Sequence, residues 1–190
     1  MGRIKIMERI WNYLYYYIYL FEIKASNIIT YPFSMIFDLI YKIPAISNGL
    51  KKKGSSPKKL REVNSNLMRN RVYGQSINFA NIQIGGLLVF VEFGLFNLLQ
   101  AILGKSLIQY VWEEGSIYKW LFIIGGLVIA YIINNQLLWK NDKYLKYFEE
   151  FDKSPKEVRR KWAWISLGIV IGILGFFVLS FIIAIKVLGK

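Results

Sequence analysis

One carboxylate falls where carboxylates are costly. Glu92 lies near the middle of an apolar run, residues 79 to 103, FANIQIGGLLVFVEFGLFNLLQAIL, and is its only charge. In hydrocarbon such a group must be paired, protonated or hydrated. The chemistry it offers is a proton site, an ion path or a pore lining. The structural alternative is a protonated carboxyl bonded to a neighbouring helix. Amides stand in the same run at Gln83, Asn97 and Gln100, and in the next run at Asn134, Asn135 and Gln136. On a helix the first three fall on a different side from Glu92. A helix with two polar sides is hard to satisfy with two other spans, which favours self-association. Asn134 and Asn135 stand near the end of their run, so their depth matches Glu92 poorly.

Little other chemistry is open to this chain. It contains no Cys and no His. Disulfides, thiolate nucleophiles, the usual general base at neutral pH and the commonest metal ligand are therefore absent. No phosphate-binding glycine loop, serine nucleophile elbow, metal-ligand cluster or embedded carboxylate pair is present. We expect no enzyme, no cofactor and no metal. A stand-alone transporter is not expected either, since there are too few helices for two repeats around a central site.

The elements that would position Glu92 are membrane spans. The chain has 190 residues, of which 55% are hydrophobic, and a net charge of +13. Its mean hydropathy is +0.34, high for a soluble domain of this length. A bilayer core needs about 20 mostly apolar helical residues. Residues 79 to 103, 118 to 139 and 163 to 185 meet that length. Basic loops stay in the cytoplasm. Residues 51 to 71 carry Lys51, Lys52, Lys53, Lys58, Lys59, Arg61, Arg69 and Arg71 against Glu62 alone. The loop 140 to 162 ends in Arg159, Arg160 and Lys161, whereas 104 to 117 has Lys105 against Glu113 and Glu114. We therefore expect 51 to 71 and 140 to 162 inside and 104 to 117 outside. The C-terminus would then lie outside, which Lys186 and Lys190 oppose mildly.

The N-terminal stretch WNYLYYYIYLFEIK, residues 11 to 24, follows Arg3, Lys5 and Arg9. It is short for a span and lacks a small-x-small cleavage site. Tyrosine favours the headgroup level. As a helix it puts Glu8, Asn12, Tyr15, Tyr19 and Glu22 on one edge, with Ile10, Leu14, Tyr17, Ile18 and Phe21 opposite. That pattern predicts a helix in the cytoplasmic interface; a membrane hairpin and burial against other helices are the alternatives. A second piece is expected from Pro32 to Lys42, with Ile36 and Ile40 on one face, Asp38 and Lys42 on another, and Pro44 ending it. Residues 48 to 62, NGLKKKGSSPKKLRE, read as a flexible basic loop. Lys51, Lys52, Lys53, Lys58, Lys59 and Arg61 would hold it inside and attract anionic lipid headgroups. Nucleic acid is disfavoured, because the linker has no aromatics for base stacking.

Between the second and third spans the spacing predicts a cytoplasmic helical hairpin. Tyr144, Tyr147, Phe148 and Phe151 share one side, and such stripes usually mark packing. Ser154, Pro155 and Glu157 form a capping box with Pro in the first helical position, so a helix should run from there into the third span. Small residues punctuate the spans: Gly85 and Gly86 in the first, Gly126 and Ala130 before Asn134 in the second, and Gly168, Gly172 and Gly175 in the third. They let backbones approach, within one chain or between chains.

The expected architecture is an all-α membrane protein. Amphipathic interfacial helices (1 to 47) and a basic cytoplasmic linker (48 to 78) precede a domain of three transmembrane helices (79 to 190), with the hairpin between the second and third. The pattern resembles small bacterial inner-membrane proteins. In these an aromatic segment such as YYYIYLFEI precedes the spans, and a charged stretch such as WKNDKYLKYFEEF precedes the last. The resemblance implies a bacterial cytoplasmic membrane and no activity. Two functions fit: a non-catalytic scaffold or accessory subunit, partnered by the bilayer and by copies of itself or other membrane subunits; or an oligomeric pore-forming or membrane-perturbing effector, as in a bacterial immune system, with Glu92 in the conducting path.

Overall fold

Helices that are apolar all round must be covered by lipid or protein, and the three runs found in the sequence form long helices of this kind. The computed structural model describes residues 2–52, 54–114 and 116–189. The described residues are almost all helical, and none of them forms a strand. In order, the helices are α1 Gly2–Tyr41, α2 Pro44–Lys52, α3 Pro57–Arg69, α4 Gln75–Leu103, α5 Ile108–Val111, α6 Ile117–Asn134, α7 Lys143–Lys153 and α8 Lys156–Leu188. A π-helical segment, Asn135–Trp139, and a 3₁₀ turn, Lys140–Asp142, join α6 to α7. Three helical runs are long and apolar enough to cross a membrane: Gln75–Leu103, Ile117–Lys153 and Lys156–Leu188. The side chains of Arg3, Asp38, Lys51, Lys53 and Lys190, named above for their charge, lie outside the described residues.

The chain divides into two compact units, one made of Met1–Tyr16 with Ile82–Lys190 and the other of Tyr17–Asn81. In the first, α4 packs on α8 where side chains shrink. A Cβ at Gly94 would overlap the ring of Phe176. One step away the Asn97 amide donates to Ser180 Oγ at 3.3 Å, and Phe90 meets Phe177 with ring centroids 5.1 Å apart. Packing of α4 on α6 centres on Phe122, whose ring lies 5.2 Å from Phe93 and 4.7 Å from Phe96. The second unit buries Ile18, Tyr19, Ile77 and Ala80. Tyr19 donates its hydroxyl proton to the Arg69 carbonyl at 2.6 Å. Its turn into α4 depends on Asn70, whose Oδ1 accepts from the amides of Val72 (2.8 Å) and Tyr73 (3.0 Å). Gly74 closes that turn against the Asn70 backbone, where a Cβ has no room.

Four sequence expectations change. Pro32 sits inside α1 rather than opening a second helix. Pro44 begins α2 instead of ending the helix before it. The basic linker is helical over most of its length, as α2 and α3, because Ser56 caps it: Ser56 Oγ accepts from the Lys59 amide at 3.2 Å, with Pro57 in the first turn. Conversely, the capping box at residue 154 is not made. α8 starts at Lys156 with Pro155 as its N-cap residue and no side-chain cap. Ser154 instead ends α7, donating its hydroxyl proton to the Glu150 carbonyl at 3.1 Å while its amide donates to Phe151. The tight turn between α7 and α8 is there; its chemistry differs. Ser56→Ala should therefore weaken α3 by about 0.5–2 kcal/mol through loss of the cap. Ser154→Ala should cost α8 nothing measurable. Proteolysis of the 54–60 and 152–158 segments in detergent checks both: faster cutting at 154 with none at 56 would reverse the assignment.

Candidate functional site

Asn141 and Asp142 adopt φ values of 60° and 52°, the left-handed region these residues tolerate better than most. With the π segment before them they break the helix after the second span and give α7 a new direction. Carbonyls at such a break need donors. The Gln136 carbonyl accepts from Lys143 Nζ at 2.9 Å, and the Leu137 carbonyl from Asn12 Nδ2 at 3.0 Å. Asn12, on α1, thus repairs the break. Its neighbour Trp11 donates its indole N–H to Asn134 Oδ1 at 2.9 Å.

Around this repair the N-terminal turns of α1 close on α7 as an aromatic clasp. The Tyr13 ring stacks between Phe151 (3.5 Å between centroids) and Trp162 (4.1 Å). Tyr15 and Tyr16 meet Phe148 at 5.4 and 5.1 Å, and Tyr15 also meets Tyr144 at 5.6 Å. The hydroxyl of Tyr16 donates to Asp152 at 2.7 Å. Glu8 accepts from Lys143 Nζ at 2.8 Å and from the Tyr147 hydroxyl at 3.2 Å, and Arg9 pairs with Glu150 at 2.6 Å. The edge of Glu8, Asn12 and Tyr15, which the sequence assigned to headgroups, is spent on protein. On the other side Ile10 is half-buried and Leu14 is fully buried, so protein covers part of that side as well. The reason is complementarity. α7 offers cations, hydroxyls and rings in the spacing that this edge needs, and a helix edge by itself does not distinguish protein from an interface.

The spans place the remaining predicted residues apart from one another. Gln83 is exposed on α4 and Asn135 is half-buried in the π segment. Asn97 is held by Ser180. Gln100 is buried, and its Oε1 accepts from the amides of Leu107 (2.9 Å) and Ile108 (3.2 Å), fastening the connection after α4. Asn97 and the Oε1 of Gln100 thus find partners in the chain, while Gln100 Nε2 is buried without one. Gly126, Ala130 and Asn134 do form one stripe toward α4. Ala130 and Asn134 are buried, and a Cβ at Gly85 would stand 4.0 Å from Asn134 Nδ2. Gly86 has open space around it, as do Gly168, Gly172 and Gly175 on α8. Lys52, Lys58, Lys59 and Arg61 are exposed on α2 and α3.

Glu92 lies at Gly126. A Cβ on that glycine would stand 2.8 Å from Glu92 Oε2, so the missing side chain of α6 makes the space the carboxyl fills. The other oxygen, Oε1, is buried and meets no hydrogen-bond partner. Glu92 and Gly126 line a half-open groove of about 550 Å³ between α4 and α6, whose walls are apolar: Val89, Phe93, Phe122, Leu127 and Trp112 among them. A carboxyl at the floor of an apolar groove accepts a hydrogen bond from whatever enters, or donates one when protonated. The sequence identified Glu92 and Gly126 separately; their register across two helices was the part it did not reveal. Compared with protein families, curated proteins and solved structures, the chain matches none.

Proposed function

We propose that this chain is a non-catalytic multi-pass subunit of the bacterial cytoplasmic membrane, a scaffold that joins copies of itself or other membrane subunits through the Glu92 groove. The observation that carries this reading is the Glu92 carboxyl on an apolar groove open to the side, with one of its oxygens, Oε1, unpartnered within the chain. Such an acceptor is costly in hydrocarbon until a donor arrives, and a neighbouring transmembrane helix supplies one. Sparse packing supports it. Only 22, 17 and 11% of the most apolar windows of the three runs is buried within the chain, which leaves broad surfaces for lipid and for partners. The glycine side of α8, at Gly168 and Gly172, is a second surface on which another helix can approach closely. In this reading the clasp sits in the cytoplasm and holds the amino-terminal turns of α1 on α7, while the exposed apolar second half of α1 lies along the interface.

The orientation is tested by single cysteines in this cysteine-free chain. At Ser55 and Ser154 they should resist a membrane-impermeant thiol reagent in intact cells. At Ser116 one should react. Labelling at Ser55 from outside would sink the arrangement. Assembly through the groove is tested by Glu92→Leu, which should lose partners in mild detergent.

A further inference from the structure

Helix α3 carries its apolar residues on the wrong side for packing. Leu60, Val63 and Leu67 follow the helical repeat at steps of three and four, and each is exposed, at 36, 50 and 51%. The side of α3 that meets its own unit is another one, where Ser65 and Met68 are half-buried and Met68 Sδ lies 3.7 Å from Ser26 Oγ. Lys59 borders the outward stripe, whereas Lys58 and Arg69 fall on the opposite side of the helix; Glu62 is the only acid in it. The preceding helix adds Lys52. Only five residues, 70 to 74, separate α3 from α4, the first run able to cross a membrane, so the chain keeps α3 within a short reach of the bilayer surface.

We infer that α3 lies flat on the cytoplasmic leaflet, inserting Leu60, Val63 and Leu67 among acyl chains while its basic residues draw anionic phospholipid headgroups. The inference rests on the membrane-spanning reading above. It is a different claim from a topological lysine loop: it needs a folded helix, a stripe of three apolar side chains and negative lipid together. Charge complementarity selects the occupant. A protein partner would have to offer an apolar groove rimmed by acids, whereas an anionic leaflet offers both features everywhere along it. The Ser56 cap and the Asn70 turn fix the two ends of the helix, so the stripe is presented preformed.

The test uses the full chain in vesicles of phosphatidylcholine, with and without phosphatidylglycerol. Nitroxide labels are placed on Leu60→Cys, Val63→Cys, Leu67→Cys and Glu62→Cys, and collisions with oxygen are compared with those of a water-soluble nickel chelate. In anionic vesicles the first three should show a severalfold higher oxygen-to-nickel ratio than Glu62→Cys. The contrast should collapse in pure phosphatidylcholine, and it should also collapse at Leu60→Cys when Val63→Asp is added, a change at an exposed site that leaves the fold intact. Equal water exposure of all four labels in anionic vesicles would overturn the inference. So would protection from both reagents regardless of lipid, which would mean that a second copy or another protein covers the stripe. A label at Ile171→Cys, exposed on the third span, separates the two levels of failure. If it reads hydrocarbon while α3 reads water, only the α3 inference falls; if it reads water, the spanning reading falls and takes this one with it.

Discussion

Phe148→Ala should free the amino-terminal turns of α1 from α7 at a cost of about 3–5 kcal/mol, the range for deleting a buried phenyl ring. Phe148 is fully buried and touches Tyr15, Tyr16 and Tyr144. Each aromatic pair adds about 0.5–1.5 kcal/mol to the burial itself. The ion pairs of the clasp are weaker candidates for what holds it. Arg9 and Glu150 are each about half exposed, at 51 and 50%, and such pairs contribute about 0–1 kcal/mol. Trypsin cleavage at Lys5 and Arg9 of the full chain in detergent reads the difference. When local opening limits cutting, Phe148→Ala should accelerate it by about a hundredfold or more, and Glu150→Gln by a few-fold at most. The reverse order would mean that charge, not ring packing, closes the clasp.

The three spans were legible because hydrocarbon imposes a demand on every residue of a segment, so composition over about 20 residues is enough. What joins them was less so. Ser56-Pro57-Lys58 and Ser154-Pro155-Lys156 are the same three residues, yet the first serine caps the helix after it and the second closes the helix before it. The difference lies upstream. α7 delivers the Glu150 carbonyl to Ser154, while Ser56 follows a turn at Gly54 with positive φ. The break at Asn141 and Asp142 was open to reading from the residue types, which favour turns, but an aromatic stripe running on through 144 to 151 concealed it. The clasp itself was not legible. The edge of Glu8, Asn12 and Tyr15 and the stripe of α7 were each visible alone, and pairing residues about 130 positions apart needs the fold. The Glu92 groove has the same history: a costly carboxylate and a bare glycine were both apparent, and only the packing of α4 on α6 brings them together.

Glu92→Leu and Gly126→Leu should both remove self- or partner-association, by different routes. The first deletes the acceptor and the second fills the space it occupies. A single hydrogen bond between transmembrane helices contributes about 0.6–2 kcal/mol, so association should weaken roughly three- to thirtyfold for Glu92→Leu. Gly126→Leu also displaces the carboxyl into its own helix neighbours and should weaken it further, since overpacking typically costs about 1–3 kcal/mol. Gly86→Leu, where a side chain meets open space, should leave assembly as it is.

The scaffold reading and the pore reading part most sharply at Glu92→Gln, which keeps the shape and most hydrogen bonds and removes the ionisable proton. The decisive measurement is made on wild-type and Glu92→Gln chains reconstituted in vesicles, following oligomeric state and ion and proton flux in the same preparation. The scaffold account predicts the same assembly for both and no flux above that of empty vesicles for either. A wild-type chain that conducts, with a Gln form that assembles normally yet changes ion selectivity or blocks proton flux, would contradict it and put Glu92 in a conducting path.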